Sequence, residues 1–139
     1  MNRTELSTEW QTLQNQYDSY EKCSLLIKIF NIALFSAALL MGGMNVVILV
    51  VLLVVWLQDA IWKTFQSRIE NRLLQLETAL ADDTATTAMP FQYNRDYAQT
   101  RPSTLGLIKV YMRQAVRPTI AFPHMVLILI SVVVMLSGI

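Results

Sequence analysis

The chain has one cysteine, Cys23, one histidine, His124, and four glycines in 139 residues. A lone cysteine excludes an intrachain disulfide and any CxxC metal or redox motif. Cys23 lies where a helix is expected to enter a membrane, so palmitoylation and plain packing are both open to it. A single histidine with no carboxylate near it in sequence gives no support to a Ser/His/Asp set. Its place at a membrane entrance points instead to a headgroup or backbone contact. The glycines form neither GxGxxG nor GxxxxGK[ST], so no phosphate-cradling loop is visible. Metal ligands at diagnostic spacing are missing too. These absences point away from an enzyme, a resident metal and a cofactor. Charge is also scarce: Asp, Glu, Lys and Arg make up 15% of the chain, against roughly a quarter in a soluble domain. Residues 1–24 are polar and include Glu5, Glu9, Asp18 and Glu21, so no cleaved signal peptide is expected.

What the chain has is apolar residues in blocks. They amount to 54% of the total, and the blocks are Leu25 to Met41, Met44 to Leu57 and Phe122 to Ile139. A membrane span takes about 20 helical residues, with a range of roughly 17–25. The first and third blocks reach that length directly. The second reaches it with Gln58, Asp59 and Trp62 at the interface, where such residues are favoured. The reading is an all-α membrane protein of three transmembrane helices with a cytoplasmic helical stalk, assembled as a homo-oligomer. All eleven Lys and Arg fall before or at the start of the first span, or between the second and third; the GGMN link and the C-terminus carry none. The positive-inside rule then places the N-terminus in the cytoplasm and the C-terminus outside it, in the periplasm or beyond.

Periodicity divides the chain further. Leu6, Trp10, Leu13, Tyr17 and Tyr20 make a heptad-like stripe in residues 1–24, continuous with the first span, which predicts one helix over about 5–41. Gly42 and Gly43 break it, and Asn45 suits a tight turn. Residues 25–57 are then a transmembrane hairpin. In 58–81 a second stripe, Trp62, Phe65, Ile69, Leu73, Leu76 and Leu80, should bury the first. Residues 82–102 have no helical period and read as a loop. Residues 103–118 form a basic juxtamembrane helix, capped by Ser103 and ended by Pro118. The third span covers 119–139, with Pro123 in its first turn.

Two groups of residues are candidates for function. Lys28, Asn31 and Ser36 fall within the first span, and Asp59 ends the second. Charge inside a membrane is costly and marks function by default. Lys28 and Asp59 lie at one depth and can pair; in an oligomer, Lys28, Asn31 and Asp59 can instead line a watery path. The other group is cytoplasmic. Lys109, Arg113 and Arg117 recur every four residues, a column of cations on one helical face. Attraction to anionic lipid explains such a column at about 1 kcal/mol per cation. It does not explain the interleaving of Phe91, Tyr93, Tyr97 and Tyr111 with Arg95 and Arg101. Aromatic faces stack on bases while guanidinium forks hold phosphates. Tyr93, Arg95, Tyr97, Arg101, Lys109, Arg113 and Arg117 are therefore candidates for a nucleotide or oligonucleotide site.

The order of parts, with Asp59, Trp62, Gln66 and Arg68 in WLQDAIWKTFQSRIENRLLQLE, resembles the membrane effectors of Hailong-type anti-phage defence systems. The resemblance implies a bacterial inner-membrane effector paired with a nucleotidyltransferase, which answers an oligonucleotide signal by perturbing the membrane and arresting growth. The expected partners are thus the lipid bilayer, further copies of the chain, a nucleotide or oligonucleotide ligand and the nucleotidyltransferase. The competing expectation is a small accessory subunit of a larger inner-membrane complex.

Overall fold

The computed structural model describes residues 3–81 and 89–138. The regular elements among them are helices only: α1 (Arg3–Leu40), α2 (Val46–Ala81), α3 (Tyr93–Thr100), α4 (Thr104–Ala115) and α5 (Pro118–Ser137). Three of them, α1, α2 and α5, are long and apolar enough to cross a membrane. The first two form a hairpin. Gly42 turns it at a φ of 62°, a conformation glycine adopts without steric penalty. Asn45 starts α2 by accepting the Ile48 amide at 3.1 Å, a side-chain N-cap.

Both long helices have a polar half and an apolar half. In the polar half the two stripes meet: Leu6 and Leu13 of α1 bury against Ile69, Leu73 and Leu76 of α2, with Trp10, Tyr17 and Tyr20 packed on them. Trp10 also donates its indole N–H to Glu77 at 2.9 Å. Lys63 and Gln66 both donate to Glu21, and these bonds hold the Glu21 carboxyl below its usual range. A lowered folded-state value contributes stability above the ordinary carboxylate pKa, lost as pH falls through the lowered one. In the apolar half Phe35, Leu52 and Leu127 form the core. Leu26, Phe30, Val47, Val54 and Leu129 point outward, as helices solvated by lipid do.

Replacing Leu13 or Ile69 by Asp should therefore separate the polar halves. Both residues are buried in the α1–α2 seam, and an unpaired carboxylate there costs several kcal/mol. Limited proteolysis of the purified variants should show early cleavage within 3–24; a wild-type pattern in both would mean that the seam is not what holds these halves together.

Two features differ from the sequence reading. The expected loop over 82–102 contains α3. This helix has no buried residue, so it leaves no apolar period to detect; its hold comes from polar and stacking contacts with α2 described below. The part of that loop at 82–88 lies outside the described residues. The second difference concerns the cation column. Ser103 caps α4 as expected, accepting the Gly106 amide at 3.3 Å, and Lys109 and Arg113 lie on it. Arg117 does not. It is extended, at φ −63° and ψ 134°, and becomes the N-cap of α5, with Pro118 in the first turn. The proline ring disfavours a helical conformation in the residue before it. The same constraint makes Phe122 non-helical before Pro123 and kinks α5 there.

Candidate functional site

The apolar half contains a polar cluster assembled from three helices. Ser24, Lys28 and Asn31 sit four and three residues apart on α1, hence on one face. Asp59 comes from α2 and His124 from α5. Ser24, Asn31, Asp59 and His124 are all fully buried. Asp59 is the hub. Its Oδ1 accepts the Ser24 hydroxyl in a short hydrogen bond. Its Oδ2 lies 3.2 Å from His124 Nε2 and 3.7 Å from Lys28 Nζ. Lys28 also donates to the Thr119 carbonyl at 3.0 Å. The other imidazole nitrogen, Nδ1, is 2.7 Å from Asn31 Nδ2. Trp56 lies nearly parallel to the His124 ring, 6.4 Å away, and its N–H is held by the Ala115 carbonyl at 3.1 Å.

The pairing of Lys28 with Asp59 is as expected. Asn31 faces His124. His124 itself is a correction: it makes no headgroup contact but sits in the interior, beside a carboxylate 65 residues away in sequence. Although Ser24, Asp59 and His124 share a cluster, the carboxylate stands between the other two, so the serine proton is directed to Asp59. What the cluster can do is hold buried charge among three helices.

A second buried polar cluster organises the polar half. Arg72 of α2 and Glu9 of α1 are each 5% exposed and form a two-pronged ion pair, with Nε to Oε1 at 2.9 Å and Nη2 to Oε2 at 3.3 Å. Arg72 also donates to Asp96 at 3.2 Å and to the Met89 carbonyl at 2.7 Å. Glu9 accepts the Phe91 amide at 2.6 Å. The pair thus clamps the segment leading into α3 onto the hairpin. Both charges were legible as interruptions of an apolar stripe: Glu9 lies between Leu6 and Leu13, and Arg72 between Ile69 and Leu76.

Around this clamp lie two adjoining cavities. One, of 570 Å³, is lined by Arg72, Gln75, Gln92, Arg95, Asp96 and Gln99. The other, of 630 Å³, includes Arg68, Asn71, Tyr93, Tyr97, Leu107 and Val110 in its wall. Arg68 stacks on Tyr97, with its guanidinium carbon 4.4 Å from the ring centroid, a cation–π contact. Tyr93 packs on the hairpin core, and burial raises its phenol above the usual range. Of the expected ligand residues, the cleft between α2 and α3 brings together Tyr93, Arg95 and Tyr97. Arg101, Lys109, Arg113 and Arg117 line neither cavity and are exposed. Arg68 and the clamping Arg72 are the cations that sequence spacing did not single out. The chain matches no family model, no curated protein and no solved structure.

Proposed function

We propose that the chain is a membrane effector of bacterial anti-phage defence, a homo-oligomer that perturbs or permeabilises the inner membrane when a cytoplasmic nucleotide or oligonucleotide binds the cleft between α2 and α3. The observation that carries this reading is the continuity of α2. One unbroken helix supplies a wall of the cleft through Arg68 and Arg72 and the hub of the intramembrane cluster through Asp59. Arg72 lies thirteen positions along the helix from Asp59, roughly 20 Å at 1.5 Å per residue. A phosphate group entering the cleft meets Arg95 and competes with Asp96 for Arg72. Either event pulls on the helix that crosses the membrane.

Short single-stranded oligonucleotides are the probe, titrated onto the purified protein at two salt concentrations. Binding should weaken at the higher salt, as phosphate contacts require. Arg95→Ala and Tyr97→Ala should each weaken it, the latter by about 1–3 kcal/mol for a stacked base. Arg113→Ala, away from the cleft, should change affinity little. No binding at low salt, or a larger loss for Arg113→Ala than for Arg95→Ala, would remove the cleft from consideration.

The alternative, an accessory subunit of a larger inner-membrane complex, is favoured by a different observation. On α4, Leu105, Ile108, Met112 and Val116 form an exposed apolar stripe, opposite the face that packs on α2. The mass of the detergent-purified protein expressed alone separates the readings: a discrete homo-oligomer supports the effector, and a monomer supports the subunit.

A further inference from the structure

We propose that His124 is a reversible proton-binding site within the helix bundle, with Asn31 as a two-sided partner that accommodates both protonation states. The inference is independent of any ligand at the α2–α3 cleft. It starts from one atom. Asn31 Oδ1 is buried and has no hydrogen-bond partner, whereas Nδ2 of the same amide meets His124 Nδ1. That arrangement fits a neutral imidazole. Asn31 donates to the bare Nδ1, and the ring proton sits on Nε2, where it is donated to Asp59 Oδ2.

A neutral imidazole has one donor and one acceptor nitrogen, while the imidazolium has two donors. If a proton arrives at Nδ1, the Asn31 amino group facing it becomes a donor opposed to a donor. Rotating the amide by half a turn lets Oδ1 accept the new Nδ1–H, and the amino group takes the unpartnered position that Oδ1 held. The amide's oxygen and nitrogen ends are nearly equal in shape, so the rotation needs no repacking. On the far side of the ring the Asp59 carboxylate already accepts Nε2–H in either state. The unpartnered oxygen is thus the acceptor that the protonated state requires.

The ionisable groups bonded into this cluster, among the described residues, are Lys28 from α1, Asp59 from α2 and His124 from α5. With neutral His124 the ionised pair Lys28–Asp59 balances. With the imidazolium the cluster carries one net positive charge. The apolar core is adjacent: Phe35 is one helical turn beyond Asn31, and Leu127 about one turn beyond His124. Charge gained at the imidazole therefore appears beside the apolar contacts that close the bundle, where an uncompensated charge is costly.

The chain's single histidine makes the test direct. Protein labelled with ¹⁵N-histidine, reconstituted in phosphatidylcholine vesicles, gives imidazole signals from this site alone. At about pH 9 the neutral ring should carry its proton on Nε2; on acidification towards about pH 4 both nitrogens should become protonated. Asn31→Leu removes the acceptor for Nδ1–H and should lower the titration midpoint by about one pH unit, a tenfold loss of proton affinity. Asn31→Asp keeps an acceptor toward Nδ1 in either orientation and should raise it. A ring that never titrates over this range overturns the proposal, as does a neutral ring protonated on Nδ1. Identical midpoints in the wild type and both variants would also overturn it. If Asn31→Leu does not fold, the wild-type tautomer and the Asn31→Asp midpoint decide.

Discussion

Asp59→Leu is expected to destabilise the packing of α1, α2 and α5 by about 3–5 kcal/mol, the range for removing one partner of a buried ion pair. Asp59 is fully buried. Its loss strands the Ser24 hydroxyl and the His124 Nε2–H, and leaves the Lys28 ammonium without its carboxylate. Lys28 is less enclosed than Asp59 and can reach for the polar surface, which moderates its share. Asp59→Asn should cost less, since the amide oxygen still accepts from Ser24, although its amino group then opposes His124 Nε2–H. The triple variant Ser24→Ala, Lys28→Met, Asp59→Leu should recover part of the loss. A buried ionic group replaced as a set by apolar residues is often neutral in stability, whereas one left half-paired is not. Unfolding in detergent, followed by tryptophan fluorescence, to which Trp56 beside the cluster contributes, gives the measurement. A loss under about 1 kcal/mol for Asp59→Leu, the range of exposed pairs, would mean that water already solvates these groups.

Arg72→Met should have a comparable effect at the other end of the hairpin, again about 3–5 kcal/mol. The substitution leaves the Glu9 carboxylate buried, with the Phe91 amide as its remaining partner. It also frees Asp96 and the Met89 carbonyl, so α3 should detach before the hairpin opens. Hydrogen exchange at 93–100 should rise sharply in Arg72→Met, with a smaller rise at Leu13 and Leu73. Asp96→Ala isolates the outer arm of the clamp: half-exposed, Asp96 should be worth at most about 1 kcal/mol, and its removal should loosen α3 alone. In the double variant Glu9→Gln, Arg72→Met the coupling energy should be favourable, because no charge is left buried. Protection of α3 unchanged in Arg72→Met would show that the Arg68–Tyr97 stack, rather than the ion pair, holds it.

Much of the membrane-facing architecture was legible in local pattern. Three apolar blocks give three helices, since helix is the form in which a lone segment satisfies its own backbone in lipid. The stripes through Leu13 and Ile69 announced that the polar halves would meet. The Lys28–Asp59 pair followed from equal depth on the two arms of a hairpin. Pro118 even contained the reason why Arg117 leaves the column of Lys109 and Arg113, although a spacing of four residues suggested the opposite. Helix α3 was illegible because none of its residues is fully buried: its place depends on Asp96 and Tyr97 finding Arg72 and Arg68, some 24–29 residues away in sequence.

The sequence by itself determined the helical class, the hairpin, the three apolar segments and the segregation of cations, because each depends on residues within a turn or two, or on transfer of a segment into lipid. Tertiary structure alone decided that His124 lies between Asn31 and Asp59, that Ser24 shares that carboxylate, and that Arg72 pairs with Glu9 and Asp96. Those pairings join residues 24–93 positions apart. A buried polar group must find a partner, but its own neighbourhood in sequence does not say which; the crossing of α5 over the hairpin and the return of α3 onto α2 select it.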